Sequence, residues 1–156
     1  MKHIINIILI VVFTLKIGYS QDIAIGEDGV YYADKNYETP YTGNYVEYFD
    51  NGSIKLLMQL KNGIKNGTVT TYFANGQINE IMNFSYGKLH GNWSTFDSLG
   101  NKIAEANWNK DKKDGKWYIW NNKGTLIYDM TYSNGEKSGT WKKFDDNGYL
   151  ISEKAY

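Results

Sequence analysis

"GTWKKFDDNGYL", residues 139–150, reads as a β-hairpin: an aromatic strand, a turn ending in Asn147-Gly148, and the start of a second strand. The phrase is not local. "GNYVEYFDNGSI" stands at 43–54 and "GKWYIWNNKGTL" at 115–126. Gly43, Gly67, Gly91, Gly115 and Gly139 recur every 24 residues, and Gly52, Gly76, Gly100, Gly124 and Gly148 follow each of them by nine, both rows reading as structural turn glycines. A third row, Gly63, Gly87, Asp111 and Gly135, keeps the same interval, so 13 of the 16 glycines fall in register. A period of this length in a chain of 156 residues marks a repeat array, built from units that cannot bury an apolar face alone.

Aromatic residues keep the same beat. Two places after each first-row glycine stand Tyr45, Val69, Trp93, Trp117 and Trp141; five places after it stand Tyr48, Tyr72, Phe96, Trp120 and Phe144. The second strand of each unit ends on Leu60, Phe84, Trp108, Tyr132 and Tyr156. Four complete units span 43–138, with a truncated fifth from 139. Residues 21–42 form an N-terminal cap, in which "EDGVYY" (27–32) reads as the second half of a degenerate unit with Val30 in the place of Ile54.

The turn chemistry sets the register. Asn51, Asn75, Leu99, Lys123 and Asn147 precede the second-row glycines, and a two-residue type I′ turn would force all of them to positive φ. Leucine and lysine resist that conformation. A type I turn followed by one left-handed glycine asks nothing unusual of them. It pairs Phe49 with Ser53, Tyr48 with Ile54, Tyr72 with Ile78, Phe96 with Lys102, Trp120 with Leu126 and Phe144 with Leu150. Asp111 suits the left-handed region better than most residues that could replace glycine there. The expected fold is all-β: an elongated, twisted antiparallel meander of hairpins in a single layer, curved into a shallow groove, with almost no helix.

Composition narrows the function. With 17 basic and 17 acidic residues, no arginine and no cysteine, the chain lacks the basic excess of a nucleic-acid binder, and it lacks disulfides and thiol chemistry. Lys2 and His3 precede the apolar run 4–17, and Gly18-Tyr19-Ser20 supply small residues before Gln21. This is the pattern of a cleaved secretory signal peptide over 1–20, implying an exported protein; an uncleaved anchor is the alternative, opposed by Lys16 inside the run.

The phrase G-x-aromatic-x-x-aromatic-x-x-x-G-x-aliphatic, followed by an aromatic and G-x-x-x-G, resembles the MORN (membrane occupation and recognition nexus) repeat. It is most similar to the bacterial variant of YwqK-like antitoxins. "PYTGNYVEYFDNG" (40–52) and "NGEKSGTWKKFDDNG" (134–148) carry the resemblance. It implies scaffolding, protein binding or lipid contact, or neutralisation of a toxin.

No catalytic constellation stands against that reading. His90 is the one histidine beyond the leader, with no second histidine or cysteine to complete a zinc site. Neither cofactor nor metal is expected. Glu105, Asp129 and Glu153 share one repeat position, held by Leu57 and Ile81 in earlier units; they read as a solvated face or as binding carboxylates. Trp93, Trp117 and Trp141 are the candidate binding row, the alternative being that each indole packs over its neighbour's glycine backbone. With the acidic residues taken to pair across from these tryptophans, the expected partner offers lysine or arginine and engages units three to five. The expectation is therefore an exported, monomeric, non-enzymatic module binding or scaffolding a protein, the alternative being an immunity protein for one toxin. A glycan-handling enzyme using the aromatic face is a third class. Nucleic acid is not an expected partner, nor is a membrane beyond export.

Overall fold

In the computed structural model, which describes residues 23–156, the turns come out as the glycine spacing dictates. At the first of them the Gly52 N–H donates to the Phe49 carbonyl at 2.8 Å and the Phe49 N–H to the Ser53 carbonyl at 2.8 Å. The same pair of bonds recurs at Gly76, Gly100, Gly124 and Gly148, all with φ between 78° and 89°. The residues before these glycines keep negative φ. The signal segment expected over 1–20 lies outside the described residues.

Thirteen strands follow in chain order: β1 (Ala24–Ile25), β2 (Tyr31–Tyr32), β3 (Gly43–Tyr48), β4 (Ile54–Lys61), β5 (Ile64–Tyr72), β6 (Ile78–Ser85), β7 (Lys88–Phe96), β8 (Lys102–Asn109), β9 (Lys112–Lys113), β10 (Gly115–Trp120), β11 (Leu126–Ser133), β12 (Glu136–Phe144) and β13 (Leu150–Ala155). β3 to β13 form one antiparallel sheet in which the strands pair in chain order, except that β10 lies beside β8 and the short β9 pairs with another part of β8. The described residues contain no helix. The predicted pairs Tyr48 with Ile54, Tyr72 with Ile78, Phe96 with Lys102, Trp120 with Leu126 and Phe144 with Leu150 are all present.

One strand further on, the expected register fails. Glu47 faces Leu56 while Tyr48 faces Ile54, so Lys55 has no partner of its own. The same extra residue recurs at Asn79, Ile103, Ile127 and Ile151. Each is a β-bulge, and each moves the rest of its strand by one place, which turns the side chains to the other face. The residues opposite Trp93, Trp117 and Trp141 are therefore Ala106, Met130 and Lys154, not Glu105, Asp129 and Glu153.

A second correction concerns the first glycine row. Gly67, Gly91 and Gly139 lie within strands rather than turns, and Gly43 and Gly115 each open one. Between Met58–Val69 and Leu60–Lys65, three residues of β5 stand against the single Gln59 of β4. His90, Gly91 and Asn92 likewise face Asn83 alone. These glycines take positive φ to absorb the surplus chain. Tight turns belong instead to the third row: Asn62-Gly63, Tyr86-Gly87, Lys110-Asp111 and Asn134-Gly135 are two-residue loops with both residues at positive φ.

The cap is a degenerate hairpin, but offset. Ile25 pairs with Tyr31 as Tyr48 pairs with Ile54, so Tyr31, not Val30, holds the place of Ile54. β1 and β2 form their own two-stranded sheet, tied to the array where the Tyr31 N–H meets the Gly63 carbonyl at 2.9 Å. There the fully buried Met58, Leu60 and Val69 are covered by Tyr31, Tyr41 and Tyr45. Burial and the nearby Glu47 carboxylate raise the pKa of both Tyr31 and Tyr45 above the usual phenol value.

Candidate interaction surface

Strand alternation sorts the side chains. The face carrying Tyr45, Met58 and Val69 also carries Trp93, Ala106, Trp117, Met130 and Trp141; the reverse face carries Tyr48, Leu57, Phe96, Glu105, Asp129 and Glu153. On the first face the indoles reach the backbone beside the first-row glycines. The Trp117 indole N–H donates to the Asn107 carbonyl at 3.0 Å, which also accepts the Asp114 N–H at 3.0 Å, and the Trp141 indole N–H donates to the Thr131 carbonyl at 2.8 Å. The side-chain amides of Asn83 and Asn107 cross the same gap to the Asn92 and Lys116 carbonyls. Trp93 differs, since its Nε1 is buried without an acceptor. The N–H edges of Trp117 and Trp141 are thus tied to the neighbouring unit.

Their rings remain half-buried and touch one another. Trp93, Trp108, Trp117, Tyr132, Trp141 and Tyr156 form a continuous ladder with successive centroids 5.9, 5.2, 5.2, 5.0 and 4.9 Å apart. No second layer of the described residues covers it. Tilted ring contacts of this kind contribute about 0.5–1.5 kcal/mol each beyond area burial.

Lysines, not carboxylates, accompany the ladder. Lys113 Nζ lies 4.4 Å from the Trp117 ring centre and 4.8 Å from that of Tyr132. Lys137 sits the same way between Trp141 and Tyr156, at 4.5 and 4.7 Å. Lys154 Nζ is 4.9 Å from Tyr156. The register places Lys143 on this face too, beside Ile119 and Tyr128. From β7 to β13 no aspartate or glutamate shares it. The lysine row was readable in principle: Lys65, Lys113 and Lys137 occupy one repeat position, but Leu89 interrupts it.

The acidic candidates sit on the reverse face, already engaged. Glu105 meets Lys102 at 2.6 Å and Asp129 meets Lys116 at 2.6 Å; Glu153 stands opposite Lys142. Such exposed pairs contribute about 0–1 kcal/mol each. His90 is exposed. Among the described residues no group of three histidines or carboxylates is placed to hold a metal ion.

Comparison with known families adds one finding. The family described as MORN repeat variant matches residues 41–62 and 65–86, which are β3 with β4 and β5 with β6. No curated protein matches the chain. The two matched segments are similar to that repeat, and the later hairpins share their turns and bulges.

Proposed function

We propose that this repeat array is an exported, non-enzymatic module that binds or scaffolds a protein partner through the ladder face of its C-terminal units. The observation that carries the reading is that face itself, an uncovered row of half-buried aromatic rings flanked by lysines. Aromatic side chains give a binding surface large contact area for few rotatable bonds. Tying the Trp117 and Trp141 indole edges to the neighbouring strand fixes those rings before a partner arrives, which lowers the ordering cost of association. The leader-like pattern over 1–20 supports export, and MORN-type units support a role in assembly rather than catalysis.

The test separates the two faces. The full chain, expressed with its leader, serves as bait in envelope extract. Its captured partner is then remeasured against Ile119→Asp, on the ladder face, and Leu126→Asp, on the reverse face. The expected result is loss of binding for Ile119→Asp alone, with equal thermal melts. Loss only with Leu126→Asp overturns the assignment. A partner that proves to be a toxin, with cells rescued by the wild-type chain, replaces scaffolding by the antitoxin role that the YwqK-like resemblance implies.

A further inference from the structure

The ladder face has a period, and the period selects a ligand conformation. Trp117 and Trp141 belong to consecutive units two strands apart, as do Lys113 and Lys137. Two strands advance a sheet by about 9.4–9.8 Å. A segment lying across the strands along the ladder must present equivalent side chains at that spacing. A polyproline II helix does so every third residue, at about 9.3 Å. An α-helix returns to the same side after seven residues, at about 10.5 Å, and loses register within a few units. An extended β-strand alternates its side chains, so its every-third residues point in opposite directions.

Charge selects the ligand's chemistry. The face carries Lys113, Lys137, Lys143 and Lys154 without a carboxylate from β7 to β13, while Glu105, Asp129 and Glu153 are confined to the reverse face. Lys113 and Lys137 each bridge two rings, so every ammonium marks the boundary between one ring pair and the next. Proline rings suit the parts of the aromatic surface that the lysines leave open, because aromatic-lined surfaces take the preformed, low-entropy polyproline helix. Carboxylates suit the ammoniums between them.

Resting on the binding-module reading of this same face, we infer that the ladder recognises an acidic, proline-rich protein segment in the polyproline II conformation. The segment runs across the strands of units three to five with a carboxylate at every third residue. This reverses the sequence expectation of a lysine- or arginine-bearing partner, because the bulges put the acidic row on the other side.

The probe is an acetylated, amidated peptide of four consecutive Glu-Pro-Pro triplets, titrated into the full chain and followed by tryptophan fluorescence and amide NMR. Three comparisons accompany it: a Lys-Pro-Pro peptide, an alternating Glu-Pro peptide of equal length, and phosphatidylcholine vesicles containing phosphatidylserine. Saturable binding of the Glu-Pro-Pro peptide is expected, with shifts on β8 to β13, weakened about tenfold when glutamates fall at every second residue. Lys113→Glu with Lys137→Glu should abolish it and admit the Lys-Pro-Pro peptide; thermal melts check that the double variant folds, and Lys113→Gln provides a milder change. Equal affinity for the alternating peptide removes the period argument. Vesicle binding that the peptide does not displace makes the face a membrane surface and overturns the inference. If the captured partner depends on Ile119 yet no peptide binds, the module reading stands and this inference fails; if neither binds, both fail.

Discussion

Trp93, Trp117 and Trp141 occupy one repeat position but differ in one bond, and that difference is measurable. Trp117→Phe removes the indole N–H that the Asn107 carbonyl accepts at 3.0 Å. The hydrogen bond is worth about 0.5–1.5 kcal/mol net, and the loss stays in that range because the carbonyl keeps the Asp114 N–H at 3.0 Å. Trp141→Phe should behave alike, through Thr131. At Trp93 the indole N–H is buried with no acceptor, a state that itself costs about 1–3 kcal/mol. Trp93→Phe relieves that cost. The smaller ring loses similar area at all three sites, so the area term largely cancels in the comparison. Trp117→Phe should therefore be less stable than Trp93→Phe by about 1.5–4.5 kcal/mol, a large share of a typical 5–15 kcal/mol total. Urea unfolding followed by far-ultraviolet circular dichroism measures it, provided the slopes agree. If Trp93→Phe costs as much as Trp117→Phe, the indole bonds do not support the bulges and this account of the glycine–tryptophan spacing is wrong.

The remaining predictions are briefer. Gly124 has open space around it at φ 78°, so Gly124→Ala should cost about 1–2 kcal/mol from backbone conformation alone. At Gly63 an added Cβ would lie 2.7 Å from the Tyr31 carbonyl oxygen, so Gly63→Ala should lose about 2 kcal/mol more and loosen the cap, seen as faster amide exchange at Tyr31. His90→Ala should leave stability unchanged. His90→Asn should add about 0.5–1.5 kcal/mol in the same urea titration, because Thr42, Asn66 and Asp114 at this repeat position accept the N–H of the following turn and His90 does not. Hydrogen bonds from the Asn101 side-chain amide, and then from backbone N–H groups, hold the Asp97 carboxyl below its ordinary value. A lowered pKa stabilises the fold above the unfolded value and loses that contribution as pH falls through the folded one. Acidification below about pH 4 should therefore release the Leu99 and Asn101 amides, as read by NMR, and Asp97→Asn should not show that transition.

How far the sequence could be read follows from where its signals sit. Glycine is nearly obligatory at left-handed positions, so the second row announced both the turns and the pairs beside them. The bulges one residue further on have no such mark. Lys55, Asn79, Ile103, Ile127 and Ile151 share no chemistry, because a bulge of this kind is held by backbone pairing and leaves its extra side chain unconstrained. That silent residue decided which face Glu105, Asp129 and Glu153 would occupy. The first-row glycines were legible as special but not as bulges, because positive φ serves either purpose. The tryptophans were found by period alone, whereas the lysines over them stayed hidden because Leu89 occupies the same position one unit before Lys113. Asp111 was anticipated correctly: it takes φ 67°, and its carboxylate also accepts the Leu89 N–H at 2.8 Å.

Because the strands pair in chain order, with β9 and β10 together standing as one strand beside β8, the array can change length by inheritance. A gene duplication spanning one whole period adds a hairpin, with its turns and both bulges, and leaves every existing contact where it was. A duplication one residue longer or shorter would send the aromatic ladder to the wrong side from that point onward. Unequal recombination between neighbouring copies is thus filtered by the sheet itself, which accepts only whole units. Lineages carrying this gene should differ in unit number far more readily than in unit length. Each unit gained would lengthen the ladder by one more tryptophan and lysine, extending the grip on a repetitive ligand without redesigning any part of it.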